Sequence, residues 1–343
     1  MKEYLNKIIK RSGNTNASVV SDGMDGSDVT SYTDTGSMIF NAVISGSLFG
    51  GVPNNKIVGL AGEQATGKTF FTLGIIAKFL KDNPGGVVVY FDSEQAVTSE
   101  MFIAHGIDPD RVVKMPVTTV QEFRTQAFNI VNDYIKEKET TPMFMVLDSL
   151  GMLTTNKALQ DIEEGKDTRD MTRPQLIKGT FTALTNKLGV AKIPMIVTNH
   201  TYEIIGAYVP MKEMGGGTGL KFAASIVVYL SKKKDKDADG DVIGSIINCS
   251  IYKSRFTKEN KKVSVRLNFE SGLDRYYGLV DLALDHGVFV KNGTRITVAD
   301  GSNVFEKNIY ENPEKYFTKD VLAKLEAAAA KEFKLKSSID NGH

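Results

Sequence analysis

The sequence contains few of the features that mark secreted or membrane proteins. A single cysteine, Cys249, excludes an internal disulfide framework and suits a reducing cytosol, and its strand-like neighbours predict a buried side chain. No apolar run approaches the roughly 20 residues that span a bilayer. Residues 1–11 lack the apolar block of a signal peptide. We therefore expect a cytoplasmic protein with no membrane partner.

An excess of positive charge is also missing. Lys and Arg together number 42 against 41 Asp and Glu, which leaves a net charge of +1 at pH 7. Dedicated DNA-binding proteins usually carry a basic excess. Any DNA contact must therefore come from local patches.

The pattern along the chain predicts an α/β fold. Residues 2–11 have the spacing of a short amphipathic helix, and residues 12–36 have the polar composition of a linker or mobile loop. From residue 56 onward strands alternate with helices, which predicts a mostly parallel sheet. The predicted strands are 56–61, 87–91, 143–147 and 194–198, and the predicted helices are 68–81, 119–138 and 174–188.

After residue 220 the pattern changes. Three successive strands, 225–230, 243–252 and 262–269, predict an antiparallel extension of the sheet. A helix over 276–286, a hairpin within 288–298 turning at Asn292-Gly293, and a helix over 318–333 predict a small C-terminal α/β region. We therefore divide the chain into an N-terminal helix and linker (1–33), a core (34–270) and a C-terminal region (271–343).

One segment has the form of a phosphate-binding loop. It matches G-x-x-x-x-G-K-[ST] at each fixed position and lies between a predicted strand and a predicted helix. In such a loop Lys68 would hold the β- and γ-phosphates of ATP, and the Thr69 hydroxyl would ligate Mg²⁺. A glycine-rich turn without nucleotide is the alternative. The predicted loop consists of Gly62, Glu63, Gln64, Ala65, Thr66, Gly67, Lys68 and Thr69.

Carboxylates and a histidine follow the next strands of the predicted sheet. Asp148 ends the strand 143–147, where it would hold Mg²⁺ from the second side or else cap a helix. Glu94 and Asp92 follow the strand 87–91, and we favour Glu94 for orienting water because its side chain is longer. His200 ends a fourth strand; on chemistry alone, a lone histidine is more often structural.

Several short blocks, in this order, resemble the RecA family and most closely its phage strand-exchange proteins of the UvsX type. The resemblance covers roughly residues 34–290. The blocks are Asp34-Thr35-Gly36-Ser37, Gly50-Gly51-Val52-Pro53, Phe91-Asp92-Ser93-Glu94, Leu147-Asp148-Ser149-Leu150-Gly151, Asn199-His200-Thr201-Tyr202-Glu203, Gly215-Gly216-Gly217-Thr218-Gly219, Tyr252-Lys253-Ser254-Arg255 and Tyr277-Gly278-Leu279-Val280-Asp281.

The resemblance implies a RecA-like P-loop ATPase core that uses ATP and Mg²⁺. It implies a DNA-dependent ATPase that forms helical filaments on single-stranded DNA, pairs with homologous duplex DNA and exchanges strands in recombination, repair and recombination-dependent replication. The implied partners are single- and double-stranded DNA, further copies of the chain, a single-strand-binding protein and a loading mediator. The implied location is the cytoplasm of a phage-infected bacterium.

The resemblance also implies residue roles. Glu94 would be the catalytic glutamate, His200 the γ-phosphate sensor, and the pair Lys253 and Arg255 would reach the nucleotide of a neighbouring subunit. An adenine-stacking aromatic would fall near Met101, with Phe102 beside it, and the helix over 2–11 would dock on a neighbour. Segments 154–172 and 201–217 would be DNA-binding loops. The basic candidates for DNA contact are Lys157, Arg169, Arg173, Lys212 and Lys221.

Two rival functions are compatible with the same core. One is a ring-forming helicase or packaging motor, and the other is a regulatory paralogue that binds ATP and DNA without exchanging strands. The presence of Lys68, Glu94 and Asp148 together argues against the second rival.

Overall fold

The computed structural model describes residues 1–14, 17–24, 26–166, 170–203, 212–215, 219–236, 240–268 and 272–335, and all structural statements refer to these. The helices are α1 (Lys2–Ser12), α2 (Met38–Ser45), α3 (Lys68–Asp82), α4 (Ser99–Ala104), α5 (Val120–Lys136), α6 (Asn156–Glu163), α7 (Arg173–Ala191), α8 (Gly219–Ala223), α9 (Leu279–Asp285), α10 (Glu306–Glu311), α11 (Pro313–Tyr316) and α12 (Lys319–Phe333). The strands are β1 (Tyr32–Thr33), β2 (Val52–Pro53), β3 (Ile57–Gly62), β4 (Val87–Asp92), β5 (Val112–Pro116), β6 (Met143–Asp148), β7 (Met195–Glu203), β8 (Lys212–Met214), β9 (Ile226–Lys236), β10 (Val242–Ser254), β11 (Lys262–Asn268), β12 (Gly272–Leu273), β13 (Val290–Asn292), β14 (Arg295–Thr297) and β15 (Asn303–Val304).

A ten-stranded sheet forms the centre of the fold, in the order β12-β11-β10-β9-β3-β7-β6-β4-β5 with β8 attached to β7. Strands β9, β3, β7, β6, β4 and β5 pair in parallel. Strands β9, β10, β11 and β12 pair antiparallel. The predicted mostly parallel sheet with an antiparallel extension is therefore confirmed.

Apolar side chains cover both faces of this sheet, as parallel strands require. On β3, Val58 and Leu60 join the apolar cluster under α2 and α3, whereas Ile57 and Ala61 join the cluster under α5 and α7. Because successive side chains on a strand point to opposite faces, one strand contributes to both cores. Cys249 is fully buried in the first cluster, as predicted.

Local sequence signals fix several helix boundaries. The Thr119 hydroxyl accepts the Glu122 N–H while the Glu122 carboxylate accepts the Thr119 N–H, so a capping box begins α5. At the start of α12 the Thr318 hydroxyl accepts the Val321 N–H, a single cap without the reciprocal bond. The helix predicted over 276–286 begins only at Leu279, because Gly278 adopts a left-handed backbone with φ of 89°. The predicted hairpin at Asn292-Gly293 joins β13 to β14.

The N-terminal segment corrects the prediction of a linker over 12–36. Lys56 Nζ donates to the Ser27 carbonyl at 2.8 Å, and the Asn55 amide donates to the Asp28 carbonyl at 2.8 Å. Strand β1 then pairs with β2. Residues 26–35 are therefore fixed by contacts distant in sequence, which composition alone does not reveal.

Helix α1 contrasts with every longer helix because it buries none of its residues. Tyr4 and Ile8 remain 64% and 48% exposed. An amphipathic helix without a covering surface agrees with docking on another molecule, which stays a prediction. No helix in the described ranges is both long and apolar enough to cross a membrane.

Candidate nucleotide and DNA site

The phosphate-loop motif lies between β3 and α3, as predicted from its sequence context. Gly62 ends the strand, and a Cβ there would lie 2.8 Å from the Leu230 carbonyl oxygen, so only glycine fits. Gly67 caps α3 with a φ of 87°. The first N–H groups of α3 therefore point into the loop, where the helix N-terminus favours an anion.

Lys68 lies in the loop with its ammonium group turned back. Its Nζ donates to the carbonyls of Gly62 at 3.0 Å and Glu63 at 2.8 Å. Burial lowers the pKa of Lys68, and the carboxylates of Asp148 and Glu94 partly offset that effect. The ammonium is thus held by loop carbonyls at the position where phosphate oxygens would replace them.

Asp148 ends β6 and is surrounded by hydroxyl groups. Its Oδ2 accepts hydrogen bonds from Thr69 Oγ1 and Tyr90 OH, both at 2.7 Å, and its Oδ1 accepts one from Thr198. Burial, followed by the charge of Asp148, raises the pKa of Tyr90 well above its ordinary value, so the phenol remains a donor. The Thr69 hydroxyl and the Asp148 carboxylate are oxygen ligands of the kind that Mg²⁺ prefers. The predicted pair therefore fits a magnesium ion.

Glu94 lies beyond the end of β4 and faces the same site. Its Oε1 accepts from Ser149 Oγ at 2.7 Å and lies 2.9 Å from His200 Nε2. Burial raises the pKa of Glu94, but the bonds from Ser149 and His200 and the charge of Lys68 lower it by more, so the pKa lies below its ordinary value. Glu94 is therefore an ionised carboxylate beside the phosphate loop.

Asp92, the competing carboxylate, has a different environment. Its Oδ1 accepts the backbone N–H groups of Glu94 at 3.1 Å and Gln95 at 2.8 Å, and its Oδ2 forms an ion pair with Lys114 at 2.9 Å. These contacts fix the turn that presents Glu94. The geometry thus supports the preference for Glu94 and gives Asp92 a positioning role.

His200 connects this site to a β-hairpin. The sequence predicts a loop beginning at Thr201, but β7 continues to Glu203 and pairs with β8. The Gly215 N–H donates to the His200 carbonyl at 2.9 Å, and the Asn199 amide donates to the Gly215 carbonyl at 2.8 Å. The prediction of a loop from 201 is therefore corrected to a hairpin base, and residues 204–211 and 216–218 lie outside the described residues.

The other predicted DNA loop, 154–172, contains helix α6 rather than irregular chain alone. Thr155 caps this helix and also bonds to Asp170, so the two ends of the segment are tied together. Lys157 is exposed on α6. Arg169 lies outside the described residues.

Arg173 begins α7 and its guanidinium points inward. It donates to the carbonyls of Leu153 at 2.7 Å, Gly151 at 3.0 Å and Leu150 at 3.2 Å. These bonds give Arg173 a structural task at the base of the segment 154–172, and its contact with DNA stays a prediction.

Two predicted DNA lysines lie near the hairpin. The backbone of Lys212 pairs with Glu203 in β8, and its side chain lies outside the described set. Lys221 Nζ lies 3.3 Å from the Glu213 carboxylate and 5.1 Å from the Tyr252 ring centroid. Lys221 thus connects α8 with β8 and β10.

Lys253 and Arg255 lie at the end of β10. The strand ends at Ser254, and the register shift in its pairing with β9 comes before Lys253. The Arg255 N–H donates to the Ser225 carbonyl at 3.0 Å and continues the pairing, so the placement of both side chains on one strand face stays a prediction. Lys253 Nζ donates to the carbonyls of Lys221 at 2.6 Å, Phe222 at 3.1 Å and Ala224 at 2.9 Å, so it caps α8. Arg255 lies beyond the strand and is exposed.

A cavity of about 370 Å³ opens beside the phosphate loop. Its lining includes Met101, near which the resemblance places an adenine-stacking aromatic. Phe102 is only 4% exposed and packs edge-on against Tyr90, so it does not face the cavity. The described lining residues are Gln64, Ala65, Gly67, Lys68, Thr69, Phe70, Glu94, Ala96, Met101, Asp148, His200, Lys232, Ser245, Leu267 and Asn268.

Several residues of this site escaped the sequence analysis. Ser149, Tyr90 and Thr198 hold the two carboxylates, and Lys232 and Ser245 line the cavity from the antiparallel extension. A tyrosine within an otherwise apolar buried strand was a usable signal for Tyr90, because a buried phenol needs a partner. The others depend on strand pairing that the sequence does not display.

Comparison with known proteins agrees with this geometry. A family model of the RecA N-terminal domain matches residues 1–274. The recombination and repair protein of Enterobacteria phage T4 is 33% identical over 253 residues, which cover 74% of this chain and 63% of that protein. The RecA protein of Malacoplasma penetrans is 27% identical over 274 residues, covering 78% and 80%, and that of Mesomycoplasma hyopneumoniae is 26% identical over 323 residues, covering 92% and 91%.

The matched stretch is thus less than two thirds of the length of the phage T4 relative. The family match nevertheless extends over most of this chain and includes the phosphate loop, both carboxylates and His200. The resemblance noted from the sequence blocks is confirmed, and the chain belongs to the RecA family.

Proposed function

We propose that this protein is a DNA-dependent ATPase that polymerises on single-stranded DNA, pairs it with homologous duplex DNA and exchanges strands. Family membership and the printed name of the phage T4 relative support recombination and repair as its setting. The observation that carries the proposal is the hydrogen bond between Glu94 and His200, because His200 also holds the backbone of a hairpin within a predicted DNA loop.

ATP with Mg²⁺ is the proposed ligand of the phosphate loop. Lys68 would exchange its carbonyl partners for β- and γ-phosphate oxygens, while Thr69 and Asp148 hold the ion. Bound Mg²⁺ would neutralise charge on the phosphates. Glu94 would orient the attacking water and accept its proton, a role for which an ionised carboxylate is required.

The proposed coupling to DNA runs through His200. The His200 imidazole, now bonded to Glu94, would exchange this contact for one to the γ-phosphate of bound ATP, and it would return to Glu94 after hydrolysis. Since the His200 carbonyl holds Gly215, a shift of His200 changes the base of the hairpin. ATP would thereby set the base of this hairpin, residues 201–203 and 212–215, for DNA binding, and ADP would reverse the change. The proposed DNA contacts are Lys157, Arg169, Arg173, Lys212 and Lys221.

Lys253 and Arg255 are proposed to act on the nucleotide of a neighbouring subunit. Ser254 pairs with Ile226, which pairs with Val58 near the start of β3. The phosphate loop opens after Gly62, four residues or about 13 Å further along that strand. The two basic residues therefore lie near the amino-terminal ends of the parallel strands, whereas their own phosphate loop lies at the carboxyl-terminal ends.

The charges near these amino-terminal ends support this role. Burial and then the charge of Arg255 lower the pKa values of both Lys56 and Lys253, with Asp28 and Glu259 respectively offsetting part of the effect. Three cations held together repel one another, and a triphosphate from a neighbour would relieve that repulsion. In a filament this arrangement acts as an arginine finger supplied in trans.

Electron microscopy tests the proposed assembly. With single-stranded DNA and ATP, the protein should form helical filaments. Closed rings would favour the ring-forming helicase or motor instead. DNA-bound filaments without strand exchange would favour the regulatory paralogue.

The setting and accessory partners complete the proposal. We place the protein in the cytoplasm of a phage-infected bacterium, as the phage T4 relative suggests. A single-strand-binding protein would keep the DNA free of secondary structure, and a loading mediator would help the filament displace it.

A further inference from the structure

An exposed aromatic side chain lies directly beside the phosphate loop. Phe70 follows Thr69 in the first turn of α3, lines the 370 Å³ cavity and remains 40% exposed. Its neighbour Phe71 is fully buried in the core, so the two rings lie on different faces of α3. An exposed aromatic ring in the wall of a ligand cavity indicates a surface that the bound ligand covers.

Phe70 is the only phenylalanine or tyrosine among the described residues that line this cavity. Residue 101 is a methionine, and the Phe102 ring packs at 89° against Tyr90, with 5.6 Å between the ring centroids. The aromatic expected at 101–102 is thus absent from the cavity, and Phe70 is the ring available to a ligand.

The Phe70 ring is supported from one side. Its centroid lies 5.3 Å from that of His105, with a tilt of 47°. His105 Nδ1 in turn lies 2.8 Å from the Met101 carbonyl oxygen, so helix α4 holds the imidazole in place. A ring backed by a fixed neighbour loses little freedom when a ligand stacks on it.

The lining of the cavity combines two kinds of chemistry. Lys68, Thr69 and Asp148 suit phosphates and a metal ion. Ala96, Met101 and Leu267 add apolar surface to the lining, of the kind a nucleobase requires. A nucleotide with its phosphates on the loop therefore has an apolar wall and one aromatic ring for its base.

We propose that Phe70 is the platform on which the purine base of the nucleotide stacks, with Met101 covering the same subsite. The inference rests on the proposed nucleotide site, which it deepens. Stacking of a base on an aromatic side chain strengthens binding by about 5- to 150-fold. Affinity for a nucleotide should therefore depend on Phe70, and affinity for phosphates alone should not.

The absence of tryptophan from the sequence allows a direct test. Phe70→Trp places a single indole at the proposed platform. Phe305→Trp is the control, because Phe305 is also exposed, at 47%, but does not line the cavity. Each full-length variant is titrated with ADP and Mg²⁺, and then with inorganic tripolyphosphate, without DNA. ADP should quench the fluorescence of Phe70→Trp alone, and tripolyphosphate should displace ADP and restore it.

Calorimetry with Phe70→Ala provides the second measurement, with Phe305→Ala as its matched control. ADP should bind about 5- to 150-fold more weakly to Phe70→Ala, whereas tripolyphosphate should bind as it does to wild type. If ADP binds but neither the Phe70→Trp fluorescence nor the Phe70→Ala affinity changes, the platform is overturned and the nucleotide site stands. If wild type binds no nucleotide, the proposed nucleotide site and the platform both fall.

Discussion

The imidazole Nε2 of His200 lies 2.9 Å from the carboxylate Oε1 of Glu94. Because an ionised carboxylate only accepts hydrogen bonds, Nε2 must carry the proton of this bond. The same histidine accepts the Gly215 N–H through its carbonyl. One residue therefore contacts both the group proposed to orient water and the hairpin proposed to bind DNA.

Glu94→Gln should bind ATP and DNA but hydrolyse ATP about 10²- to 10⁴-fold more slowly, since it lacks the ionised carboxylate. Asp92→Asn should instead lower thermal stability and reduce activity less, because Asp92 holds the turn and Lys114. Steady-state hydrolysis on single-stranded DNA and thermal melts separate the two. If Asp92→Asn abolished turnover and Glu94→Gln did not, Asp92 would be the catalytic carboxylate.

Stability should depend on the ionisation of Asp34. Burial raises the pKa of Asp34, but hydrogen bonds from Asn41 and Gly36 and the ion pair with Arg275 at 2.8 Å lower it by more. A lowered pKa in the folded state means that the carboxylate stabilises the fold above the unfolded value of about 3.9, and that this stabilisation is lost as pH falls through the folded pKa.

Asp34→Asn should therefore lower the free energy of unfolding by about 1.5–3 kcal/mol at pH 7, and its deficit should shrink in acid. Asp22→Asn, which removes an exposed ion pair with Lys2, is the control and should change the free energy of unfolding by less than about 1 kcal/mol. Urea unfolding at several pH values, from neutral to acidic, measures the free energy of unfolding of both variants and of wild type. An Asp34→Asn deficit that stays constant in acid would refute the ionic contribution.

Lys157 and Arg173 should both affect DNA binding, and Arg173 should also affect stability. Lys157 is exposed, so Lys157→Ala should flatten the log–log dependence of single-stranded DNA affinity on salt by about 0.7. Arg173→Ala should flatten this slope too, and it should also lower the thermal stability because three backbone carbonyls lose their donor. Anisotropy titrations at several salt concentrations measure the slopes, and thermal melts measure the stabilities. An unchanged slope for Arg173→Ala would mean that Arg173 only supports the base of the segment 154–172 and does not contact DNA.

Mixing two inactive variants tests the proposed action of Lys253 and Arg255 in trans. The double variant Lys253→Ala/Arg255→Ala should bind ATP as a subunit but fail to hydrolyse it on DNA. Lys68→Ala should have a defective site of its own yet offer an intact basic pair to a neighbour. Their mixture on single-stranded DNA should therefore recover some hydrolysis. No recovery at any ratio would mean that the pair acts within one subunit or only supports α8.

The parts of the site that the sequence predicts are those encoded locally. The phosphate loop combines a motif, a preceding strand and a following helix, and Asp148 and Glu94 each follow an apolar run at the same sheet edge. The resemblance then brought His200 into the site, and the structure places it against Glu94. The phosphate loop and the two carboxylates can thus be assigned from residues close by in the sequence, and His200 from a short block that resembles the family.

The parts that the sequence does not predict depend on distant contacts. Lys253 Nζ donates to three carbonyls at the end of α8, a contact that strand alternation does not reveal. Residues 26–35 have the composition of a linker, yet Asn55 and Lys56 fix the start of that segment. Helix α2 is buried on all sides, so it lacks the one-sided periodicity by which a helix is recognised.

A strand-exchange assay tests the proposed recombinase most directly. Single-stranded DNA is incubated with the protein and ATP, a labelled homologous or heterologous duplex is added, and transfer of the labelled strand is measured. Wild type should transfer the strand only from the homologous duplex and only with ATP, and Lys68→Ala should transfer none. Equal strand release from both duplexes, or no transfer by protein that forms filaments and hydrolyses ATP, would contradict strand exchange as its function.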